Sequence, residues 1–138
     1  MNKKLYVSYK IAKLLKEKGF PQSTSICNVV YKPNGKMSFN ARSFINPHYF
    51  FKDCYIFAPT QQMACDWLKE EKNIYVTAVP DIGNSLRFYP AIYVIKGEIS
   101  EEYWFEYINS VVEKLHKSYS EPQQAIEAAL EYCLENLI

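Results

Sequence analysis

Apolar residues recur at helical spacing near the start of the chain and predict a helix over residues 6–18. Ser8 suits the N-cap of this helix, and Gly19 is a natural stop. The apolar stripe contains three large side chains: Ile11, Leu14 and Leu15. The opposite face carries lysines at three-residue spacing: Lys10, Lys13 and Lys16. We therefore expect this helix to bury one face and to present a basic face to solvent.

The next pattern is typical of a β-hairpin followed by a third strand. Residues 25–32 are rich in β-branched side chains, and Pro33-Asn34-Gly35 follows them as a turn. Proline presets φ in such a turn, while asparagine and glycine tolerate positive φ. Residues 36–42 are predicted to return as the second arm of the hairpin. Residues 50–57 have the largely apolar pattern of a third strand.

A second helix is predicted over residues 61–71, with Thr60 as its N-cap and Asn73 as its C-cap. Its apolar residues recur at helical spacing and share one stripe: Met63, Ala64, Trp67 and Leu68. This helix is expected to pack through that stripe.

Two short strands are predicted after the second helix. Residues 74–79 form the first, which is expected to end at Pro80 and to lead into a loop over residues 81–85. Residues 86–95 form the second. Pro90 interrupts it, so this strand is expected to lie near a sheet edge or to be bulged at that point.

Residues 99–117 fit two kinds of secondary structure. A helical stripe is present: Trp104, Ile108, Val111, Val112 and Leu115. However, Tyr103-Trp104-Phe105 and Tyr107-Ile108 are strong strand formers. We favour a strand over residues 103–109, with a helix as the alternative.

An amphipathic helix is predicted over residues 121–137, with Ser120 as its cap and Pro122 in its first turn. Its broad apolar face holds six residues: Ala125, Ile126, Ala129, Leu130, Cys133 and Leu137. The opposite face holds three glutamates: Glu127, Glu131 and Glu135. Because glutamates repel one another at i,i+4 spacing, the packing of the apolar face must hold this helix.

These elements predict an α+β fold. The chain has 138 residues, which is a common size for one domain, so residues 1–138 are expected to form a single domain. Hairpin-type turns between the strands favour a mostly antiparallel sheet of about four to six strands. Two or three helices, including the amphipathic C-terminal helix, complete the prediction.

Charge is distributed unevenly along the chain, although the formal net charge is only +1. Residues 1–97 carry 14 Lys and Arg against 6 Asp and Glu, whereas residues 98–138 carry 2 against 9. Such an asymmetry is typical of nucleic-acid binding or of an acidic contact surface, or of two ends that neutralise each other. Aromatic residues make up 16% of the chain, 12 of them tyrosines, which suits interface rims.

The sequence contains no recognisable catalytic, cofactor-binding or metal-binding motif, so it favours a non-enzymatic protein without a cofactor. Its four cysteines are widely spaced and sit among apolar neighbours: Cys27, Cys54, Cys65 and Cys133. Structural zinc sites normally use closely spaced ligand pairs, so these cysteines are expected to be small core residues. No apolar run reaches the roughly 18 residues of a membrane span, and no secretory signal is visible. We expect a cytoplasmic protein with reduced thiols.

Two functional hypotheses follow, each with its own surface. The first is protein–protein interaction, including self-association, through exposed aromatics or the acidic face of the C-terminal helix. The second is nucleotide or nucleic-acid binding by the lysines of the first helix beside aromatic rings such as Tyr31 and Phe39. The candidate binding surface comprises Lys10, Lys13, Lys16, Tyr31, Phe39, Glu127, Glu131 and Glu135.

Two stretches of the sequence carry a family resemblance. The first runs from Ala58-Pro59-Thr60-Gln61-Gln62-Met63 through Trp67-Leu68 into Ile74-Tyr75-Val76. The second is the closing segment at residues 119–135, YSEPQQAIEAALEYCLE. Together they resemble small uncharacterised proteins encoded by phages and prophages of gut bacteria. The shared features are structural, and the family provides no catalytic residues that could be assigned here.

The resemblance implies a phage-related origin and a setting in the host cytoplasm. It therefore favours an accessory protein that binds a host protein or a small signalling nucleotide and modifies host defence.

Overall fold

A computed structural model describes residues 3–23, 28–39, 55–83, 85–96, 104–107 and 116–138. The chain divides into two compact units, Met1–Thr60 (unit 1) and Gln61–Ile138 (unit 2). The expectation that residues 1–138 form one domain stays a prediction.

Unit 1 combines one α-helix with a small antiparallel sheet. A short 3-10 helix at Lys3–Leu5 precedes helix α1, Tyr9–Glu17. Three two-residue strands follow: β1 at Val30–Tyr31, β2 at Met37–Ser38 and β3 at Ile56–Phe57. Strand β1 is central and pairs antiparallel with both neighbours.

Helix α1 has the predicted N-cap but begins later than predicted. The Ser8 hydroxyl oxygen accepts a 3.2 Å hydrogen bond from the backbone N–H of Ile11. A capping residue has extended backbone, so the helix starts at Tyr9 and not at residue 6. Tyr6 instead forms an antiparallel bridge with Thr60. After the helix, Gly19 adopts φ +97°, which confirms its role as the stop.

The predicted hairpin turn is present between β1 and β2. Gly35 has φ +80°, and the Asn34 side-chain oxygen accepts a 2.9 Å hydrogen bond from the Lys36 backbone N–H. Val30 pairs with Ser38 on either side of the turn. Among the described residues the arms are shorter than predicted, since β1 is Val30–Tyr31 and β2 is Met37–Ser38. The predicted strand residues 25–27, 40–42 and 50–54 lie outside the described part of the chain.

The core of unit 1 lies between α1 and the sheet, and its buried apolar residues include Val7, Ile11, Leu15, Val30 and Phe57. Two hydrogen bonds satisfy polar groups next to this core. The Gln22 side-chain oxygen accepts a 2.9 Å hydrogen bond from the backbone N–H of Phe57, the last residue of β3. The chain before α1 is held to the segment after β3, where Val7 N donates to Pro59 O at 3.0 Å.

Unit 2 contains two helices and a second antiparallel sheet. Helix α2 is Gln61–Lys72 and helix α3 is Pro122–Asn136. The strands are β4 at Ile74–Ile82, β5 at Leu86–Lys96 and β6 at Trp104–Tyr107, in the order β4-β5-β6. Asn73 has φ +57°, so it ends α2 as predicted.

The prediction that the strand after α2 ends at Pro80 is wrong, because β4 continues to Ile82. The Asn73 carbonyl accepts from Ile95 N at 2.8 Å, so odd-numbered residues of this strand direct their backbone groups toward β5. Pro80 pairs with Phe88 and faces the opposite, outer edge. Its missing N–H therefore removes no hydrogen bond from the β4–β5 ladder.

Pro90 is accommodated in the same way on β5. Phe88 exchanges two 2.8 Å backbone hydrogen bonds with Tyr119, so its backbone groups face away from β4. Pro90, two residues later, faces the same side. The expectation that this strand lies near a sheet edge or is bulged at Pro90 is wrong, because β5 is the central strand of its sheet and its pairing with β4 continues through Pro90 without interruption. Among the described residues, β6 pairs with Tyr93–Lys96 of β5.

The ambiguous segment contains a strand where the described residues allow a comparison. Trp104–Tyr107 form β6 and pair antiparallel with β5. The preference for a strand is confirmed over these four residues, and residues 108–115 lie outside the described part of the chain.

Helix α3 is present as predicted, but its cap is different. The N-cap is Glu121, whose backbone N–H donates a 3.2 Å hydrogen bond to the side-chain oxygen of Gln124. The Ser120 hydroxyl instead donates to the same Gln124 oxygen, also at 3.2 Å. The buried face comprises Ala125, Ala129, Leu130, Cys133 and Leu134. The sequence pattern had not assigned Leu134 to this face.

The α+β class, the antiparallel strands and the amphipathic C-terminal helix are confirmed. Six strands are present among the described residues, within the predicted range, and they are divided between two three-stranded sheets. In unit 2, α2 contacts β4, and α3 contacts both β4 and β5. Helix packing on this sheet buries Ile74, Val76 and Ile92.

Candidate functional site

The lysines predicted for the basic face of α1 reach solvent to different extents. Lys10 and Lys13 are exposed, and Lys16 is half-buried. Ile11, Ala12 and Leu15, on the other side of the helix, are buried. The amphipathic pattern thus positions these lysines, because burial of the apolar stripe turns them outward.

Lys13, Tyr9 and Tyr31 form a cluster, called here the basic-aromatic cluster. The Lys13 Nζ atom lies 5.6 Å from the centre of the Tyr9 ring, within range of a cation–π interaction. The Tyr9 ring meets the Tyr31 ring edge-on at 5.4 Å between centroids. The structure therefore brings together two of the predicted residues, Lys13 and Tyr31, through a third, Tyr9, that sequence reasoning missed. Its i,i+4 spacing from Lys13 is the signal that could have identified it.

The second predicted aromatic residue makes a separate contact. The Phe39 ring meets the Tyr6 ring edge-on, with centroids 5.6 Å apart and an interplanar angle of 76°. Phe39 is half-buried, whereas Tyr31 is only 7% exposed and its hydroxyl donates a 2.6 Å hydrogen bond to the Val7 carbonyl. Tyr31 thus serves the packing of unit 1, and its ring face is not available for stacking on a base.

The glutamates of α3 belong to unit 2. Glu135 is exposed, while Glu127 and Glu131 are half-buried. Only one of the three glutamates opposite the apolar face is therefore fully exposed. The helix packs a wider face than the apolar pattern indicated, because Leu134 is buried in addition to the predicted stripe. The alternative in which the two oppositely charged ends of the chain neutralise each other stays a prediction.

An apolar surface that the sequence analysis missed lies at the end of the β4–β5 hairpin. Ile82 is 82% exposed, and its cross-strand partner Leu86 is 54% exposed. Val79, on the opposite face of β4, is 38% exposed. We call residues 79–83 and 85–86 the hairpin tip. The sequence does contain a signal for this surface, because Ile82 and Leu86 flank the short polar stretch that contains Gly83.

The hairpin tip continues the core face of its sheet. Alternate residues of a strand share a face, so Ile82 lies on the same face as Ile74 and Val76. Those two are buried near the start of β4, whereas Pro80 and Ile82 near its end are exposed. The face that the helices cover at one end of the hairpin is therefore uncovered at the other.

The hairpin is held firmly just below its tip. The Arg87 guanidinium donates to the Ser118 hydroxyl at 3.0 Å and to the Ser118 carbonyl at 2.9 Å. The next residue, Phe88, exchanges two backbone hydrogen bonds with Tyr119. Ordering of this kind lowers the entropy cost of binding, because the surface does not have to be assembled on contact.

Of the two cysteines of unit 2, Cys133 is buried in the core as expected, whereas Cys65 is half-buried. Burial raises the pKa of the Cys65 thiol to about 12, and the neighbouring Asp66 adds to the shift. Burial likewise raises the pKa of Cys133 to about 12, with a smaller contribution from nearby Cys65. A thiol with so high a pKa is a poor nucleophile at neutral pH. Cys27 and Cys54 lie outside the described residues.

The described parts of the chain contain no group of three or more His, Cys, Asp or Glu residues placed to hold a metal ion. None of the helices that the structure describes is both long and apolar enough to cross a membrane. Comparisons with protein-family models, with curated proteins and with solved structures find no match.

Proposed function

We propose that this protein is a phage-related accessory protein that acts in the host cytoplasm by binding another protein through the hairpin tip of unit 2. The observation that carries the proposal is the exposed facing pair Ile82 and Leu86. The sequence resemblance described above supports the phage-related setting.

Burial of this pair by a partner would contribute favourably to binding. Full burial of one large aliphatic side chain contributes roughly 1.5–3 kcal/mol. Hairpin ends are normally polar, yet here the two residues that flank the turn are an isoleucine and a leucine. Their position on the continuation of the core face also gives a partner a contiguous apolar strip to cover.

A separate protein with an apolar cleft fits this surface better than a second copy does. Side chains on both faces of the tip are exposed, including Val79 and Asp81 on one and Pro80 and Ile82 on the other. A two-stranded end exposed on both faces is convex. Two convex tips in contact would bury far less than the roughly 800 Å² per partner that a stable interface needs.

The test compares the double variant Ile82→Ser/Leu86→Ser with Leu5→Ser as a matched control, since Leu5 is an exposed leucine of unit 1. The partner is isolated with the wild-type protein from cells that make it, identified, and produced separately. The tip variant should then bind it at least about tenfold more weakly, whereas the control should bind like wild type.

Two outcomes would contradict the proposal. Equal binding by the tip variant and wild type would show that the partner contacts another surface. A wild-type dimer in sedimentation experiments that the tip variant abolishes would assign the tip to self-association.

A further inference from the structure

The two compact units differ sharply in charge. Unit 1, Met1–Thr60, contains ten Lys and Arg residues and two acidic ones, which gives it a net charge of +8. Unit 2 contains six basic and thirteen acidic residues, a net charge of −7. The basic excess of residues 1–97 is therefore confined to unit 1, because residues 61–97 carry four basic and four acidic residues. A compact unit with such an excess of one sign attracts polyanions.

Among the described residues of unit 1, six lysines are exposed: Lys3, Lys4, Lys10, Lys13, Lys32 and Lys36. They come from three separate segments, namely the 3-10 helix, α1 and the β1–β2 hairpin. We call this set the lysine surface.

The basic-aromatic cluster joins two of these segments. Lys13 of α1 lies over Tyr9, and Tyr9 contacts Tyr31, which immediately precedes Lys32. Across the turn, Lys32 N donates to the Lys36 carbonyl at 2.9 Å. The packing of the two tyrosine rings thus fixes helix α1 against strand β1, the first arm of the hairpin that carries Lys32 and Lys36. An aromatic ring orients an ammonium group but leaves its charge in place, whereas a carboxylate would neutralise that charge.

We propose that the lysine surface of unit 1 binds the phosphate backbone of nucleic acid without reading its sequence. Lysine is a compact point charge that suits phosphate contacts and does not provide the bidentate base recognition of arginine. The single arginine of unit 1 is Arg42, against nine lysines. Tyr31 is buried and its hydroxyl is bonded to Val7, so this ring packs the unit and does not stack on bases.

Two other polyanionic partners fit the surface less well. Lysine is depleted in the interiors of protein–protein interfaces, so a lysine-dominated surface is a poor match for an acidic protein. Binding to an anionic membrane through a helix requires apolar side chains that can insert beside the basic ones. The apolar residues of α1 are instead buried in unit 1: Ile11, Ala12 and Leu15.

The binding test uses the full chain and a fluorescently labelled single-stranded oligonucleotide of about 16 nucleotides. Fluorescence anisotropy is measured at about 50 mM and about 200 mM salt, because phosphate contacts weaken steeply with ionic strength. The wild-type protein should bind at the lower salt concentration and should show similar affinity for oligonucleotides of different sequence.

The variant Lys10→Gln/Lys13→Gln/Lys36→Gln removes three exposed charges from the lysine surface. It should bind about tenfold more weakly or worse at low salt, and the slope of log affinity against log salt should fall by about two to three. The matched control is Lys69→Gln/Lys72→Gln/Lys117→Gln, which removes the same charge from exposed positions of unit 2. Lys72 and Lys117 also lie over aromatic rings, so the control includes cation–π pairs.

Three results would overturn the proposal. These are no binding at low salt, equal weakening by the control, and displacement of the oligonucleotide by polyglutamate of equal charge as readily as by unlabelled oligonucleotide. The last result would assign the surface to an acidic protein. Lys13→Arg should retain binding, which separates loss of charge from loss of folding. The variant Ile82→Ser/Leu86→Ser should bind the oligonucleotide like wild type.

Discussion

The Tyr31 hydroxyl donates a 2.6 Å hydrogen bond to the backbone carbonyl of Val7, 24 residues earlier in the chain. Both residues are buried, so this bond replaces water at a carbonyl that the core would otherwise leave without a donor. It joins strand β1 to the chain just before α1. The aromatic ring that sequence reasoning assigned to ligand binding is thereby part of the framework of unit 1.

Removal of this hydroxyl should destabilise unit 1. Tyr31→Phe keeps the ring contact with Tyr9 but leaves the Val7 carbonyl without its donor, and we expect a loss of about 1–3 kcal/mol in the free energy of unfolding. Tyr9→Phe serves as the control, because Tyr9 is only half-buried and keeps its ring contacts. Urea denaturation of both variants provides the measurement, and an equal loss for the two would contradict the structural role of Tyr31.

The corrected cap of α3 leads to a second prediction. The Gln124 side chain accepts hydrogen bonds from the Glu121 backbone and from the Ser120 hydroxyl. Gln124→Ala should therefore lower the free energy of unfolding by about 0.5–2 kcal/mol, as loss of a helix cap does. Ser120→Ala should cost less, since it removes only a side-chain contact. A larger effect for Ser120→Ala in thermal denaturation would restore the cap that the sequence predicted.

Cys133 should make stability fall with rising pH. Burial raises its pKa from 9.0 to about 12 in the folded protein, so the unfolded chain loses its proton first as the pH increases. The stabilisation is therefore complete below about pH 9 and is lost between pH 9 and 12. Cys133→Ala should flatten the pH dependence of the free energy of unfolding in this window, by an amount on the order of a few kcal/mol.

Comparison of slopes makes this experiment independent of the packing that Cys133→Ala also removes. Cys65, the other described thiol whose pKa burial raises to about 12, is present in both proteins, so the difference between the two curves reports on the loss of Cys133. Parallel curves for wild type and variant would contradict the inferred burial of the thiol.

Pro80 should protect the outer edge of β4. Its backbone faces away from β5, so the proline removes a donor from the edge where another strand could pair. Pro80→Val restores that N–H and should increase concentration-dependent self-association in light scattering. Asp81→Val adds the same side chain to the neighbouring exposed position, but the backbone of Asp81 faces β5. Equal association of the two variants would attribute the effect to surface hydrophobicity alone.

Local features of the sequence correctly predicted the elements whose structure depends on neighbouring residues. Ser8 caps α1, Gly35 makes the β1–β2 turn, and Asn73 ends α2. Each has short-range chemistry that suits its role whatever the rest of the fold. The apolar stripes of the three helices were visible for the same reason, since helical periodicity is a property of the chain itself.

Tertiary structure decided the features that depend on a distant partner. Pro80 was expected to end a strand, but the register with β5 turns its missing N–H outward, and the strand continues. Tyr31 was expected at a binding surface, but its hydroxyl bonds to Val7. The sequence predicts a loop at Ile82, but pairing with Leu86 extends β4 through this residue and the packing leaves its side chain exposed. In each case the long-range pairing of strands and the placement of helices, which no local pattern encodes, determine whether a side chain is buried or faces solvent.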